Sequence, residues 1–394
     1  MKKITTIGLV LFTFLAVFNW TSCTSDIDSR DLSIIQHGPY YSVEDWDVLS
    51  ATLDLPELPD DYNGVGNTFS QNAIPTLGRV LFYDKNLSAD RSVSCASCHE
   101  QSLAFSDDEA FSRGIEDRRT DRNSLPLGSF EDFRRSYNST VFDREGRFFW
   151  DERVGTLHEQ MEQTIPNAKE MGLTLEEMQI RLRDLDYVRV LYRKAFKEEV
   201  IQVENVLEAI SQFVNSIRST SSRFDGGFGQ GFGVDPYVAF SNFTQQENLG
   251  KTLFLDNCGH CHAFSLSTHL INQFQNLKSR ANNGLDLVYE DKGVYEVTNE
   301  PEDKGVFKIP GLRNIELTGP YMHDGRFETL EEVVEHYSTG IKDHENLDER
   351  LRHLNGSVMN RNFTDTEKAA IVSFMKTLTD YRITEETKWS DPFK

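Results

Sequence analysis

Two pentapeptides of one pattern constrain this chain more than any other feature of its sequence. Residues 95–99 are Cys-Ala-Ser-Cys-His, and residues 258–262 are Cys-Gly-His-Cys-His. Cys-x-x-Cys-His is the attachment motif of c-type haem, in which both thiols form thioethers with the porphyrin and the histidine ligates the iron. One helical turn sets the two sulfurs along the edge of the ring and turns the next residue towards the metal. We therefore predict two covalently bound c-type haems, held by Cys95, Cys98 and His99 and by Cys258, Cys261 and His262.

These cysteines have two other interpretations. A Cys-x-x-Cys pair can be a redox or catalytic dithiol, and two pairs can together form one zinc site, because zinc takes four nitrogen or sulfur ligands. The chain has five cysteines, and four of them fall into the two pairs, each closed by a histidine. This arrangement favours haem attachment and predicts a two-haem redox protein.

The N-terminus has the features of an export signal. Two lysines precede an apolar run at residues 7–18, which is too short to span a bilayer comfortably. The fifth cysteine, Cys23, stands where a lipoprotein signal is cut, although Trp20 departs from the usual leucine. We predict a signal peptide of the lipoprotein type over residues 1–22 and a periplasmic protein held to a membrane by a lipid on Cys23. Simple secretion is the alternative.

The charge of the chain limits its partners. The formal net charge is −22, which argues against binding nucleic acid and favours a basic redox partner. The 394 residues suffice for two or three domains. Residues 23–70 are acidic and rich in Asp, Ser, Pro and Gly, and this composition predicts a tether or extended arm.

An internal repeat divides the rest of the chain. Leu-Gly-Arg-Val-Leu-Phe-Tyr-Asp at residues 77–84 recurs as Leu-Gly-Lys-Thr-Leu-Phe-Leu-Asp at residues 249–256, each time upstream of a haem motif. Apolar residues at helical spacing close each half, at residues 203–219 and 364–378. Two capping boxes, Thr-Gln-Gln-Glu and Thr-Asp-Thr-Glu, predict where the helices of the second half begin. Each half is therefore expected to place helices around one haem.

This repeat predicts the fold class. We expect two cytochrome c-like domains in tandem, at residues 71–222 and 236–382, joined by a glycine-rich linker at 223–235 and followed by a tail at 383–394. Few stretches alternate with the period of a strand. The expected fold is mainly α, with irregular loops, an N-terminal extended arm and at most a minor sheet.

Beyond the haem motifs, the chain resembles the di-haem cytochrome c peroxidase and MauG family over about residues 70 to 380. The most specific matches are Arg-Asn at 122–123, Phe-Phe-Trp-Asp at 148–151, Glu-Met-Gly at 170–172, and residues 312–325, which contain Thr-Gly-Pro-Tyr-Met-His-Asp-Gly. The resemblance implies reduction of hydrogen peroxide at the first haem. It also implies electrons from a small cytochrome or similar donor, which arrive through the second haem.

The resemblance assigns catalytic roles to three residues. Glu170 matches the acid/base that moves a proton between the peroxide oxygens, and Gln160 matches a glutamine of the same pocket. Trp150 matches the tryptophan that relays electrons between the haems. Alone, a glutamate before Met-Gly is most often a solvated surface residue, and a tryptophan is most often a core residue.

One departure concerns the far side of the first haem. Many family members carry a histidine between the haem motif and the Arg-Asn pair that blocks this iron at rest. Here the interval keeps its length but holds no histidine, and Ile115 stands at the matching position. We predict an open coordination position at the first haem, with Glu116 and Asp117 as the nearest alternative ligands.

A second departure concerns the far side of the second haem. Where many peroxidases of the family have a methionine, seventeen residues after Pro320, this chain has Tyr337. A tyrosine ligand is the MauG arrangement and lowers the haem potential. The alternative ligands are His336, Met322 and His323. If one of them binds the iron, Tyr337 is only a packing residue.

The resemblance also implies a calcium ion between the domains, because Asn123, Thr318 and Pro320 match the family's side-chain and backbone ligands. Family members are often dimers, so a homodimer is expected on the same ground. Three functions remain open: a peroxidase, a MauG-like enzyme that oxidises residues of a partner protein, and a non-catalytic electron carrier or haem sensor.

Overall fold

A computed structural model describes residues 40–127 except 64, 66, 67 and 69, and residues 148–228, 235–266 and 279–394. Within these ranges the chain is mainly helical, as predicted, and its one sheet has two strands of two residues each. None of the helices in these ranges is both long and apolar enough to cross a membrane. The predicted signal peptide and Cys23 lie outside the described residues.

Short helices separated by long loops make up the structure. The α-helices in chain order, α1 to α13, are Val43–Ser50, Ala73–Tyr83, Leu157–Thr164, Leu175–Arg183, Asp186–Phe196, Val203–Ser216, Arg223–Phe228, Gln245–Asn257, Gly259–Leu266, Tyr295–Thr298, Leu330–Glu335, Asp365–Lys376 and Arg382–Glu385. The 3-10 turns are Lys85–Leu87, Cys95–Ser97, Gln101–Leu103, Ile115–Asp117, Pro301–Asp303, Ile315–Leu317, Glu349–Leu351 and Thr387–Trp389, and one π-turn is His336–Gly340. Strands β1, Arg280–Ala281, and β2, Phe307–Lys308, pair antiparallel.

The repeat appears in the structure as the same helix crossing in each half. In the first half α2 packs on α6, and a Cβ atom placed on Gly78 would lie 1.9 Å from the carbonyl oxygen of Ala209. In the second half α8 packs on α12, and a Cβ on Gly250 would lie 1.8 Å from the carbonyl oxygen of Ala370. Only glycine lets the two backbones approach so closely. The repeated Leu-Gly pair therefore fixes the crossing point of both helix pairs.

The predicted helix starts of the second half are confirmed. The Thr244 hydroxyl accepts a hydrogen bond from the Glu247 amide, and the Glu247 carboxylate accepts one from the Thr244 amide, which is a complete capping box. Thr364 and Glu367 make the same pair at the start of α12. Each box satisfies amide groups that a helix N-terminus otherwise leaves without a partner.

The predicted linker is not irregular throughout. Its first residues form α7, because Asp225 accepts hydrogen bonds from the amide and hydroxyl of Ser222 and so caps that helix. The same carboxylate binds both terminal nitrogens of Arg313, at 2.8 Å each. Residues 229–234 of the linker lie outside the described residues. The described part of the linker is thereby tied to the second half by a two-point ion pair.

The C-terminal segment returns to the first half. The Trp389 side chain is buried there, and its indole nitrogen donates to the Ser216 hydroxyl at 3.1 Å. Its carbonyl oxygen accepts from the Tyr83 hydroxyl at 2.6 Å. Arg79, itself buried, donates to the carbonyl oxygen of Ser390 at 2.7 Å. The predicted tail is therefore part of the packed structure of the first half.

Each half has its own apolar core. The core of the first half combines α2, α5 and α6 with Tyr62 of the arm and Trp389 of the C-terminal segment. The core of the second half combines α8, α11 and α12 around Phe374, which is fully buried. A smaller cluster, which contains Trp150, Tyr289 and Phe307, lies where residues of the two halves meet.

Candidate haem sites and active site

The first haem motif forms one tight turn. The His99 amide donates to the Cys95 carbonyl oxygen at 3.0 Å, as expected for a single helical turn. Nδ1 of His99 lies 3.0 Å from the carbonyl oxygen of Phe105, which orients the ring and leaves Nε2 for a metal. Burial lowers the pKa of His99 to about 4, so the imidazole is neutral at pH 7, the form that binds iron.

The second motif repeats this geometry at the junction of α8 and α9. The His262 amide donates to the Cys258 carbonyl oxygen at 2.9 Å. Burial lowers the pKa of His262 to about 4, and a hydrogen bond with the backbone of Pro310 acts in the opposite direction. The two cysteine pairs line different cavities, and the described residues contain no group of three or more His, Cys, Asp or Glu side chains placed to hold a metal. The shared zinc site is therefore not supported.

The first cavity, which we call the His99 cavity, has a volume of about 850 Å³. The catalytic candidates Trp150, Gln160 and Glu170 line it together with Cys95, Cys98 and His99. Residues of both halves contribute to its wall. The structure thus brings together the motif and the three catalytic candidates, which the sequence separates by up to 75 residues.

Glu170 is half-buried in a hydrogen-bonded loop of the His99 cavity. Its Oε1 accepts from the side-chain amide of Asn167 at 2.7 Å, and the nearby Thr164 hydroxyl also favours its ionised form. Burial raises the pKa of Glu170 to about 7, against smaller opposing effects of Asn167 and of Arg153. Gln160 makes no hydrogen bond to Glu170, and its side-chain amide donates to Thr164 Oγ1 at 3.0 Å. A carboxyl with a pKa near 7 can both accept and return a proton.

Ile115 lies beside Glu170. Its amide donates to the Glu170 carbonyl oxygen at 2.9 Å, and its Cδ1 lies over Gly172, where an added Cβ would come within 2.3 Å. The neighbouring carboxylates face solvent, since Glu116 pairs with Arg118 and Asp117 pairs with Arg113 at 3.0 Å. The loop that matches the blocking histidine of relatives is therefore held by apolar packing and by exposed ion pairs.

The second cavity, which we call the His262 cavity, has a volume of about 180 Å³ and a mainly apolar wall. Cys258, Cys261 and His262 line it, as do Tyr337 and Met322. The Asn283 amide nitrogen lies 3.4 Å from the Tyr337 hydroxyl and 3.6 Å from the Met322 sulfur. Two of the proposed ligands thus converge on one asparagine.

The two histidines proposed as alternative ligands have other partners. His336 Nε2 lies 3.0 Å from the Asn283 carbonyl oxygen. The His323 ring also lines the His262 cavity, and it stacks on Phe307 with 3.8 Å between ring centroids. Burial raises the pKa of Tyr337, so its hydroxyl stays protonated at neutral pH in the protein alone.

Trp150 lines both cavities. Its indole nitrogen donates to the Asn123 carbonyl oxygen at 2.9 Å, and its own carbonyl oxygen accepts from the Lys308 amide at 2.7 Å. The first bond attaches the ring to a loop of the first half, and the second attaches the Trp150 backbone to strand β2 of the second half. The placement suits a relay between two haems.

The calcium candidates share one wall. Asn123, Thr318 and Pro320 all line the His262 cavity, and Asn123 and Thr318 are buried. The Asn123 amide nitrogen donates to the Glu109 carbonyl oxygen at 3.1 Å. Amide and carbonyl oxygens are ligands that calcium accepts.

The residues present fit two covalently held haems. In each cavity the two thiols of a motif line the same space as the neutral imidazole that follows them. No disulfide occupies these four cysteines. When bound, haem would supply an iron that exchanges electrons and can take an added ligand.

Some residues of the site escaped sequence analysis. Asn167, Thr164 and Asn283 carry no motif, although Asn167 stands only three residues before Glu170. Arg122 matches the family's Arg-Asn pair, but this match does not reveal its partners. It joins the two halves, because it binds Asp151 at 2.5 Å and Asp291 at 2.7 Å. Only the fold shows such partners, since 169 residues separate Arg122 from Asp291.

The fold and the two cavities define a class of protein: a c-type cytochrome with two tandem attachment domains and a half-buried carboxyl in one cavity. A family profile described as di-haem cytochrome c peroxidase matches residues 72–230. The cytochrome c551 peroxidase of Nitrosomonas europaea is 31% identical over 312 residues, which cover 77% of this chain and 79% of the relative. The methylamine utilization protein MauG of Methylorubrum extorquens is 29% identical over 306 residues, which cover 77% of this chain and 77% of the relative.

A solved structure, described as a MauG-like protein associated with microbial copper homeostasis, is 31% identical to this chain. It aligns with a TM-score of 0.65 over 81% of this chain and 93% of that chain. The chain therefore belongs to the di-haem cytochrome c peroxidase and MauG family.

Proposed function

We propose that this protein is a peroxidase that reduces hydrogen peroxide to two molecules of water, with two electrons and two protons. The observation that carries the proposal is the position of Glu170 in the His99 cavity, where burial raises its pKa to about 7. A base is needed to take one proton from peroxide, and an acid is needed to return it to the oxygen that leaves as water. One carboxyl with this pKa serves both steps.

Electrons must reach the His99 cavity from outside. Trp150 borders both cavities and is held by hydrogen bonds from each half, so it provides an intermediate station between them. The net charge of −22 favours a donor with a basic surface, such as a small cytochrome. Each donor molecule supplies one electron, and two are needed for each peroxide.

The test is peroxide turnover by purified holoprotein with a reduced cytochrome as donor. Replacement Glu170→Gln keeps the shape of the side chain but removes the base, and we expect turnover to fall roughly 10²- to 10⁴-fold. Glu162→Gln, at an exposed position on helix α3, which precedes the loop of Glu170, is the matched control and should leave turnover unchanged. Equal turnover by the Glu170→Gln variant and the parent would overturn the proposal.

A second function is favoured by Tyr337. Its hydroxyl lines the His262 cavity, where a tyrosine ligand would lower the potential of the second haem and favour its oxidation. Such a site suits a MauG-like enzyme that oxidises residues of a partner protein. Retention of full activity on that partner by Tyr337→Met would count decisively against this function.

The resting ferric spectrum separates both enzymes from a non-catalytic carrier. An enzyme has one haem with an open position, which gives a high-spin signal, whereas a carrier has two six-coordinate low-spin haems.

We propose further that one calcium ion binds Asn123, Thr318 and Pro320, that the protein forms a homodimer, and that it is periplasmic and lipid-anchored through Cys23. The composition and order of residues in the sequence support export, and the shared wall of the three candidates supports calcium.

A further inference from the structure

We propose that Thr164 and Asn167 are positioning residues that hold the carboxylate of Glu170 in the His99 cavity, and that Gln160 acts on Glu170 through Thr164. The inference rests on the proposed peroxidase function and adds to it a specific group of residues, Gln160, Thr164, Asn167 and Glu170, in which Gln160 bonds to Thr164 and Asn167 bonds to Glu170. All four residues line the same cavity. We call this group the Glu170 cluster.

Asn167 holds the loop and the carboxylate at once. Its side-chain amide donates to Glu170 Oε1 at 2.7 Å, and its side-chain oxygen accepts from the Lys169 amide at 2.9 Å. Its carbonyl oxygen accepts from the Glu170 amide at 2.9 Å and from the Gly172 amide at 2.9 Å. Because backbone and side chain of Glu170 are bound to the same residue, the carboxylate has little freedom to turn away from the cavity.

Thr164 holds the carboxylate from the end of helix α3. Its side chain lines the same cavity as Glu170 and favours the ionised carboxylate, and its hydroxyl oxygen accepts from the Gln160 amide at 3.0 Å. A hydroxyl has one proton to donate. Since the Gln160 amide is itself a donor, the Thr164 proton is left for the carboxylate. Gln160 therefore sets the direction of the Thr164 donor without a hydrogen bond of its own to Glu170.

Other charged groups also face the Glu170 cluster. Arg153 favours the ionised form of Glu170, and Asp121, which pairs with Lys169, disfavours it. On the neighbouring 3-10 turn, Glu116 is exposed and pairs with Arg118. Glu170 also faces the thiols of the first haem motif. Of the neutral donors, Asn167 bonds to the carboxylate at 2.7 Å, and Thr164 favours its ionised form from the same cavity.

The experiment compares three variants of the holoprotein. Thr164→Val removes the hydroxyl but keeps the shape, Thr164→Ser restores the hydroxyl, and Asn167→Asp keeps the acceptor for the Lys169 amide but loses the donor. The pKa of Glu170 is read from its infrared carboxyl C=O stretch as pH is changed, assigned by subtraction of the Glu170→Gln spectrum. The acid limb of kcat/KM for peroxide is measured on the same samples.

Loss of either donor weakens the ionised form, and Asn167→Asp also places a second carboxyl beside Glu170. Thr164→Val should therefore raise the pKa by about one unit, and Asn167→Asp should raise it by more. The acid limb of kcat/KM should move by the same amount, and Thr164→Ser should return both to the parent value. The control Glu162→Gln should move neither. A merely structural role would lower haem content or the unfolding midpoint without moving the carboxyl titration.

An infrared titration that is unchanged in both Thr164→Val and Asn167→Asp overturns the inference, even when turnover depends on Glu170. A shifted titration in a protein that has no peroxide turnover supports the Glu170 cluster and overturns the peroxidase proposal instead. The two failures are therefore distinguishable, because the titration needs no turnover.

Discussion

The indole nitrogen of Trp150 donates a hydrogen bond of 2.9 Å to the backbone carbonyl of Asn123. This bond joins the proposed electron relay to a proposed calcium ligand. Asn123 is itself bound to the second half, because its backbone amide donates to the His323 carbonyl oxygen at 2.8 Å. The position of the Trp150 ring therefore depends on how the two halves meet around Asn123.

Replacement of Trp150 by phenylalanine should slow peroxide turnover at least about tenfold, because phenylalanine fills the space but is much harder to oxidise. Reduction of the second haem by the external donor should be unchanged, since that step comes before the relay. Stopped-flow absorbance resolves the two steps. Trp46→Phe, a half-buried ring on α1, is the control. Equal turnover in Trp150→Phe and the parent would exclude the relay.

Removal of calcium should have an effect that passes through the same bond. Treatment of the holoprotein with a calcium chelator should loosen the Asn123 loop and slow transfer between the haems severalfold, and added calcium should restore it. Magnesium should not restore it, because it demands a smaller octahedral site. Metal analysis should confirm that chelation has removed all calcium. An unchanged rate of electron transfer between the haems in that sample would contradict the calcium site.

The pKa of Glu170 predicts a dependence of stability on pH. Burial raises the pKa of Glu170 from 4.5 to about 7, so ionisation is harder in the folded protein than in the unfolded chain. The contribution of protonated Glu170 to the free energy of unfolding is fully present below pH 4.5 and is lost as pH rises through 7. Glu170→Gln cannot ionise, so its stability relative to the parent should rise between pH 5 and pH 8, by at most about 3 kcal/mol. Urea unfolding at these two pH values checks this, and a constant difference would refute it.

The helix crossings give a prediction about the fold. Gly78→Ala should destabilise the first half by about 3 kcal/mol, because the new methyl group would meet the Ala209 carbonyl at 1.9 Å and force α2 away from α6. Gly250→Ala should do the same to the second half. Gly155→Ala, whose Cβ would have its nearest neighbour at 3.7 Å, should change the free energy of unfolding by less than about 0.5 kcal/mol. Thermal unfolding monitored by circular dichroism measures all three.

The ligand of the second haem can be tested at Asn283, where Tyr337 and Met322 converge. Under the tyrosine proposal, Tyr337→Phe should raise the reduction potential of the second haem, because it removes an electron-donating oxygen. Met322→Leu should leave the potential near its original value. Redox titration of the two variants decides between the residues, and the reverse pattern would identify Met322 as the ligand.

Local sequence patterns predicted the features that depend on neighbouring residues. The capping boxes at Thr244 and Thr364 gave the starts of two helices, because the donors and acceptors stand three residues apart. The repeated Leu-Gly pair indicated equivalent helices, although only the structure shows that Gly78 and Gly250 mark the crossings. The mainly α fold followed from these periodic segments.

Features that depend on distant residues were not predictable. The burial of Trp389 depends on Ser216 and Tyr83, which lie far away in the chain, so the segment resembled a loose tail. Position 115 was identified from its register, but the sequence could not show that Ile115 packs over Gly172. Similarly, Gln160 was assigned to the pocket, while its dependence on Thr164 needed the geometry of helix α3.

The return of Trp389 to the first half has a consequence for biosynthesis. A ribosome completes residues 71–222 well before it reaches residue 389, yet the core of that half still lacks the indole ring that binds Ser216. The core of the half that is translated first is thus complete only after residue 389 has been made. A nonsense mutation shortly before codon 389 would damage a domain that is encoded far upstream of it.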